Sequence, residues 1–390
     1  MKSLVFSVNE LYKNSTQSER RNLELTEEIF SEKTTIFFNE LANGTYAFSF
    51  KKNDKIFLNS KKNDFEFLFQ NLVLRKIYRN VKTVYKLSQS NRDEIISQMQ
   101  VLLNEESPYW ILRLDIKSFY ESLNYRIIIE KLENDYRLNS QTICYINELF
   151  KQLSMENNGI PRGVCVSAIF AEFYMKDFDL KVKRMDGVYY YARFVDDIIL
   201  FCNSESSLNE TKKKIEEELQ EKKLELNEKK IKIWNRKSRD ILTYLGYEFR
   251  HRNNKVDISI AEKKIKMIKT RIVKSFINYT KNRDFSLLKK RIKFLTGNIV
   301  LKNSNLDSIF VGIYYNYKKI TNYKVLEELD LFYQKMLNCK NGKIGSVLST
   351  SLSIGEKKDL RKYSFKFGFE KKVRHKFKIE EMKQIKRCWL

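Results

Sequence analysis

A chain of 390 residues with 42% hydrophobic and 13% aromatic content can bury a sizeable core in two or three lobes, which excludes a disordered tail. Its 74 Lys and Arg against 49 Asp and Glu leave a formal charge of +25, which disfavours self-association and attracts polyanions, nucleic acid before an acidic membrane. Five cysteines without a CxxC pair, and only His251 and His375 as imidazoles, argue against a zinc site or a disulfide framework and for reduced thiols in a cytoplasm.

The first residues, MKSLVFSVNELYKN, hold too short an apolar run for a signal peptide, and no stretch approaches the length of a membrane span. A cytoplasmic location without a membrane partner is the expectation. With only Pro108 and Pro161 as prolines and 11 glycines, long flexible linkers are not expected either.

Residues 1–65 read as an N-terminal extension of short helices and strands, with a helix-like region at 27–38 and a strand-like alternation at 45–50. From Phe67 the pattern changes: Arg75, Lys76, Arg79, Lys82, Lys86 and Arg92 stand among regularly spaced apolar residues. Such a basic face is either solvated or clamps phosphate. Residues 110–114, WILRL, form an apolar strand that breaks at Asp115 into a helix start. An acid at the end of a core strand costs desolvation unless it is paired or binds a cation. Two readings stay open, a metal ligand and a helix N-cap with Ser118 nearby. Tyr120, five residues on, offers a ring that can floor a sugar pocket and exclude a 2′-hydroxyl.

Residues 126 to about 155 carry helical spacing and read as two connecting helices. The run Asn157-Asn158-Gly159-Ile160-Pro161-Arg162-Gly163-Val164-Cys165-Val166-Ser167-Ala168 is a Gly/Pro turn entering an apolar helix over 169–180. Backbone at Gly159 and Gly163 can approach a ligand closely, and Ser167 can point a donor at a phosphate or base, though an ordinary junction reads the same way. In 189–202, YYYARFVDDIILFC, two aromatic and β-branched runs flank Asp196 and Asp197, which places the acids at the tip of a hairpin. The pair is a solvated turn unless other acids converge on it. A Lys/Glu helix over 208–224 presents an i,i+4 solvated face and leads into LELNEKKIKIW, which carries Lys230. Residues 242–249 then read as two β segments turning at Gly246.

Each signal is weak alone, but their order resembles motifs A to E of the reverse transcriptase palm, over about residues 70 to 250. The resemblance implies an α+β right-hand polymerase. Its parts are an N-terminal extension (1–65), fingers (66–108), a palm (109–250, with a fingers insertion at 126–158), a helical thumb (251–335) and a basic extension (336–390). It implies that two magnesium ions are bound through Asp115 and Asp196, which lie 196 − 115 = 81 positions apart, with Ile116 and Asp197 also at the metal site. Hard oxygen ligands suit Mg²⁺, and two ions would activate a primer 3′-hydroxyl and stabilise pyrophosphate. By the same resemblance Tyr120 selects dNTP over NTP, Lys230 protonates pyrophosphate, and Arg75 and Lys76 grip the triphosphate. Ile116, Arg162, Gly163 and Ser167 line the nucleotide, and residues 244–249 form a primer grip.

Arg162 stands where retroviral enzymes carry Gln, Ala168 where many bacterial enzymes carry Pro, and Phe194-Val195 where Tyr-Ala or Tyr-Met is usual. These departures point away from the retron and group II intron branches. Residues 291–298, RIKFLTGN, and 312–317, GIYYNY, resemble bacterial defence-associated reverse transcriptases, most of all a subunit of the type three system. That resemblance implies antiphage defence, a noncoding RNA template, nascent DNA, dNTPs, a second reverse transcriptase subunit and a homo-oligomer as partners. From Glu356 onward 13 Lys/Arg face 5 Asp/Glu, a net of +8. The alternation in 363–369, YSFKFGF, predicts a strand that either stacks unpaired RNA bases or packs on the thumb. No acidic cluster for RNase H follows the thumb. The expected activity is RNA-directed DNA synthesis. One alternative is an RNA-dependent RNA polymerase, against which Tyr120 argues; the other is a silent RNA-binding subunit, against which the three acids argue.

Overall fold

A computed structural model describes residues 4–54, 56–61, 63–105, 107–153, 159–252, 255–302 and 308–389, so Asn157 and Asn158 of the Gly/Pro turn lie outside the described residues. The chain divides into two units, residues 1–95 with 107–236, and residues 96–106 with 237–390.

In the first unit α1 (Val8–Asn14), α2 (Gln17–Asn22) and α3 (Glu27–Ala42) each start on a hydroxyl cap, Ser7, Thr16 and Thr26, that accepts from a main-chain N–H three residues on. Phe30 of α3 anchors them edge-on to Tyr12 and Phe65. β1 (Phe50–Asn53) and β2 (Ile56–Asn59) form an antiparallel hairpin. The alternation at 45–50 is therefore strand only from Phe50. Side-chain amides take the place of a ladder before it. Gln152 donates to Tyr46 O (3.0 Å) and accepts from Phe48 N, while Gln70 accepts from Ser49 N (2.9 Å) and donates to its carbonyl (3.1 Å).

The basic, apolar-patterned stretch is α4 (Asp64–Tyr85), capped by Asn63 and stopped at left-handed Lys86, followed by α5 (Arg92–Asn104), whose residues from 96 on belong to the second unit. The buried face of α4 carries Phe65, Phe69, Leu72, Val73, Ile77 and Val81. Next come β3 (Trp110–Asp115), α6 (Phe119–Ser122), α7 (Tyr125–Asn134), α8 (Ser140–Leu153) and α9 (Ser167–Lys183). The hairpin β4 (Val188–Phe194) and β5 (Asp197–Cys202), then α10 (Glu205–Glu221) and β6 (Lys232–Asn235), complete the unit. Its central sheet is antiparallel in the order β4-β5-β3-β6. Because β5 is interior, Ile198 to Cys202 are all buried and apolar rather than alternating. α9 packs against β4, and α10 against β3, β4 and β5.

The second unit opens with an antiparallel sheet of β7 (Leu242–Tyr244), β8 (Tyr247–Arg252) and β9 (Lys255–Ile260). Leu245 and Gly246, both at positive φ, make the two-residue turn expected at Gly246. Then follow α11 (Glu262–Asn282), α12 (Phe285–Thr296), β10 (Asn298–Lys302), β11 (Ser308–Gly312), α13 (Ile313–Tyr317), α14 (Lys324–Leu337), α15 (Gly342–Ser351) and α16 (Ile354–Leu360). α17 (Phe365–Glu370), β12 (Arg374–His375) and α18 (Ile379–Arg387) end the described chain.

The strand expected over 363–369 is instead α17. Asp330 supplies the reason: its carboxylate accepts from Phe365 N (2.6 Å), Lys366 N (3.1 Å) and Ser364 Oγ (2.6 Å), so the first N–H groups of a helix are satisfied from outside. Phe365 and Phe369, four apart, are buried, whereas Phe367 is 53% exposed. Among the described residues no helix is long and apolar enough to cross a membrane.

Candidate active site

Strands β3 and β5 bring two acids together directly, because Asp115 ends one where Asp197 begins the other, in register. The β4–β5 turn passes through Val195 and Asp196. Val195 has φ +62°, a left-handed conformation that a β-branched residue avoids. Two hydrogen bonds hold it: Arg193 Nη1 donates to Val195 O (3.0 Å) and Ile116 N donates to Asp196 O (3.0 Å). The tip that aims Asp196 is therefore strained and clamped from both sides.

The clamp is itself a buried ion network. Arg193 is 3% exposed and donates to Asp179 (2.8 and 2.7 Å) and Glu172 (2.7 Å), while Tyr191 Oη donates to Asp179 (2.6 Å). Burial alone would lower the Arg193 pKa, but Asp179 and Glu172 hold it well above the ordinary guanidinium value. Burial also pushes the Glu172 carboxyl up, against the pull of Arg193.

The three acids have different surroundings. Asp115 is buried and accepts from Lys230 Nζ (2.9 and 2.8 Å) and Asn227 Nδ2 (3.3 Å). Main-chain bonds Asn227 N to Asp115 O (2.8 Å) and Lys117 N to Glu225 O (2.9 Å) zip the Lys230 segment onto the end of β3. The N-cap reading of Asp115 is thereby excluded; Ser118, at φ +46°, is the cap position of α6. Asp197 pairs with Arg113 (2.8 Å), which lies two residues before Asp115 on β3. Asp196 has no ion pair among the described residues. Burial raises its carboxyl above the usual range, and the charges of Asp197 and Asp115 raise it further against its own N–H and Lys230.

Tyr120, on α6, is half-buried beside this cluster, its phenol raised by burial and by Glu172 and Asp196. The Arg162 guanidinium lies 5.5 Å from the Tyr120 ring centroid and pairs with Glu121 (2.8 Å). The two glycines of the turn meet protein. A Cβ at Gly159 would stand 2.6 Å from Glu121 O, and one at Gly163 (φ +91°) 2.6 Å from Phe57 O. Ser167 is buried and its hydroxyl donates to Pro161 O (2.5 Å), which closes the turn on itself.

Arg75 and Lys76 are the expected cations that stand engaged elsewhere. Arg75 forks onto Glu19 (3.0 and 2.6 Å), and Lys76 is buried with its ammonium on Glu10 (3.1 Å). Burial works to raise Glu19, but hydrogen bonding and charge from Arg75 bring its carboxyl below the usual range. Arg113, Glu172, Asp179, Arg193 and Asn227 were not singled out from sequence. Arg113 had a legible signal, being on the Asp115 side of a strand with period two; the others needed tertiary contacts.

Among the described residues no three His, Cys, Asp or Glu side chains close on one point as a metal-binding group. The donor chemistry nonetheless fits a hard divalent cation. Asp115 and Asp196 supply carboxylate oxygens, and Asp196 carries charge that no ion pair compensates. Asp197 is engaged by Arg113, and Ile116 contributes main chain only.

No curated protein matches the chain. Among solved structures, apo telomerase from Candida tropicalis aligns at 14% identity and TM-score 0.42, covering 93% of this chain and 70% of that one. Telomerase from Candida tropicalis in complex with a TWJ fragment of telomeric RNA aligns at 12% identity and TM-score 0.41, covering 88% and 68%. A form of the apo enzyme truncated of its C-terminal domain gives 15% and 0.40, and the chain spans 61% of its length while 61% of this chain is covered. The family described as reverse transcriptase (RNA-dependent DNA polymerase) matches residues 60–249, which contain the β4-β5-β3-β6 sheet and all three acids. The chain thus carries a reverse transcriptase domain over residues 60–249, on an α+β fold of the right-hand polymerase kind.

Proposed function

We propose that the chain is an RNA-directed DNA polymerase whose reaction centre is Asp115 and Asp196. The observation that carries this reading is Asp196 itself: an acid without an ion pair among the described residues, on a strained and clamped hairpin tip, whose carboxyl is raised by burial and further by two neighbouring carboxylates. A protein that needed this turn only for folding would gain nothing from such an arrangement. Asp115 and Asp196 would hold two magnesium ions, which supply Lewis acidity to a primer 3′-hydroxyl and neutralise charge on pyrophosphate. Asp197, tied to Arg113, keeps the hairpin in register with β3. Lys230 balances Asp115 and offers a proton to the leaving pyrophosphate. Tyr120 presents its ring to the sugar and disfavours a 2′-hydroxyl, with Arg162 bracing the ring. A noncoding RNA template and antiphage defence with a second subunit belong to this reading through the resemblance of residues 291–298 and 312–317 alone.

Purified protein with Asp196→Ala is expected to lose dNTP incorporation by on the order of 10³-fold or more while its RNA affinity changes less than about twofold. Undiminished synthesis by that variant would sink the assignment. Supplying NTPs in place of dNTPs to the unaltered protein separates the DNA from the RNA polymerase reading.

A further inference from the structure

The second unit contains a cavity of about 320 Å³ that the polymerase reading does not use. Ile268 of α11, Leu295 of α12 and Ile299 of β10 give it an apolar floor. Its rim is aromatic and cationic. Trp389, just beyond α18, stands 5.4 Å from Phe294 of α12, ring centre to ring centre. The tryptophan is fixed: its indole N–H donates to Arg271 O (3.1 Å) and Ser275 Oγ (3.0 Å), and its carbonyl accepts from Lys274 Nζ (3.2 Å). Arg271 lies 5.5 Å from the Trp389 ring and Lys386 6.0 Å from the Phe294 ring. Neither cation has a carboxylate partner among the described residues.

A packing defect between helices has no need of cations on its rim. Two cations laid on aromatic rings beside an apolar cavity match a ligand with a flat, apolar body and an anionic neighbour. The charge of this unit selects the source of that ligand. Residues 96–106 with 237–390 hold 37 Lys and Arg against 16 Asp and Glu, a net of +21, whereas the remainder of the chain holds 37 against 33, a net of +4. We propose that the cavity takes one unstacked base of a single-stranded nucleic acid, with its ring against Phe294 and Trp389 and an adjacent phosphate between Arg271 and Lys386. The site is independent of the catalytic assignment.

The test is the ratio of affinities of the full-length protein for an oligothymidylate and for a fully abasic strand of equal length, read by fluorescence anisotropy. Stacking of one base sets an expected loss on the order of tenfold in that ratio on Phe294→Leu. Arg271→Gln with Lys386→Gln, which leaves the apolar floor intact, weakens binding of both strands alike. The Asp196→Ala protein keeps the ratio, so the outcome is readable even where the polymerase reading fails. A 5-iodouridine strand is expected to cross-link on illumination to the peptide that contains Trp389. An unchanged ratio in Phe294→Leu, or cross-links confined to other peptides, overturns the proposal. So does full displacement of the strand by millimolar thymidine monophosphate, which would make a free nucleotide the occupant.

Discussion

Among the described residues each unit buries one arginine, and the two are satisfied in opposite ways. Arg193 meets Asp179 and Glu172 and is held in charge-charge contact. Arg291 of α12, 2% exposed, has no carboxylate partner among the described residues: it donates to Asn278 Oδ1 (2.7 Å) and to the carbonyls of Ile385 (3.2 Å) and Gln384 (3.3 Å). Burial lowers its pKa, and the opposing charges of Cys388 and Asp284 do not reverse that shift. Carbonyls in the last turn of a helix carry the negative end of its dipole, so Arg291 docks α18 by main chain alone. The first unit spends its acids on internal pairs around the hairpin; the second keeps few acids and leaves Arg271 and Lys386 exposed to polyanion. The buried arginine is neutralised by charge in one unit and by main-chain and amide oxygens in the other.

The largest effect expected from this contrast is at Arg193. Arg193→Leu leaves two partly buried carboxylates without their cation, and such a broken pair costs up to about 3–5 kcal/mol. The loss has a pH signature. Without Arg193 the Glu172 carboxyl keeps the burial that raises its pKa and loses the charge that opposes it, so stability falls as pH rises through that window and returns as pH drops. Chemical denaturation is expected to show the full deficit at pH 7 and a smaller one below roughly pH 5. A deficit of equal size at both would mean that lost packing, not charge, is what Arg193 supplies.

Lys230 distinguishes a paired cation that builds from one that reacts. Lys230→Ala is expected to slow single-turnover dNTP incorporation by about 10²-fold, the lower range for a positioned general acid. Lys230→Arg keeps the charge on Asp115 but is a far weaker proton donor. Full recovery of rate in the arginine variant would reduce Lys230 to a structural partner of Asp115.

Arg291→Leu comes next, at about 1–3 kcal/mol for carbonyls and an amide left without their donor. No carboxylate is stranded, so this deficit is expected to be the same at pH 7 and pH 5. It is also expected to loosen α18 and with it Trp389, lowering the base-over-abasic affinity ratio without touching Asp196. A pH-dependent deficit here would break the contrast between the two arginines.

What was legible in the sequence follows the range of the interactions. The β4–β5 hairpin could be read because its apolar runs directly bracket Asp196 and Asp197, and the 245–246 turn because two residues between β segments select their own geometry. The alternations at 45–50 and 363–369 misled for one reason. Gln70, Gln152 and Asp330, all distant in sequence, satisfy the main chain there, and a two-residue period cannot tell their help from a neighbouring strand. The Val195 strain was equally hidden, since nothing local in Arg193-Phe194-Val195 requires a left-handed valine.

The resemblance implies that Arg75 grips the triphosphate, and the sequence shows its charge but not its partner, because Glu19 is 56 positions away. The fork onto Glu19 does not by itself bar a second role, since both side chains retain exposure. Glu19 has a folded pKa below its unfolded one, so its contribution is fully present above the unfolded value of 4.5 and is lost as pH falls through the folded one. Arg75→Met is therefore expected to cost less than about 1 kcal/mol at pH 7, as solvent screens the pair, and progressively less as pH falls below 4.5. The same variant decides the role of the residue. An unchanged KM for dNTP would make Arg75 one more cation spent on building the first unit, whereas a KM raised several-fold at constant stability would make it a cation that both builds and binds.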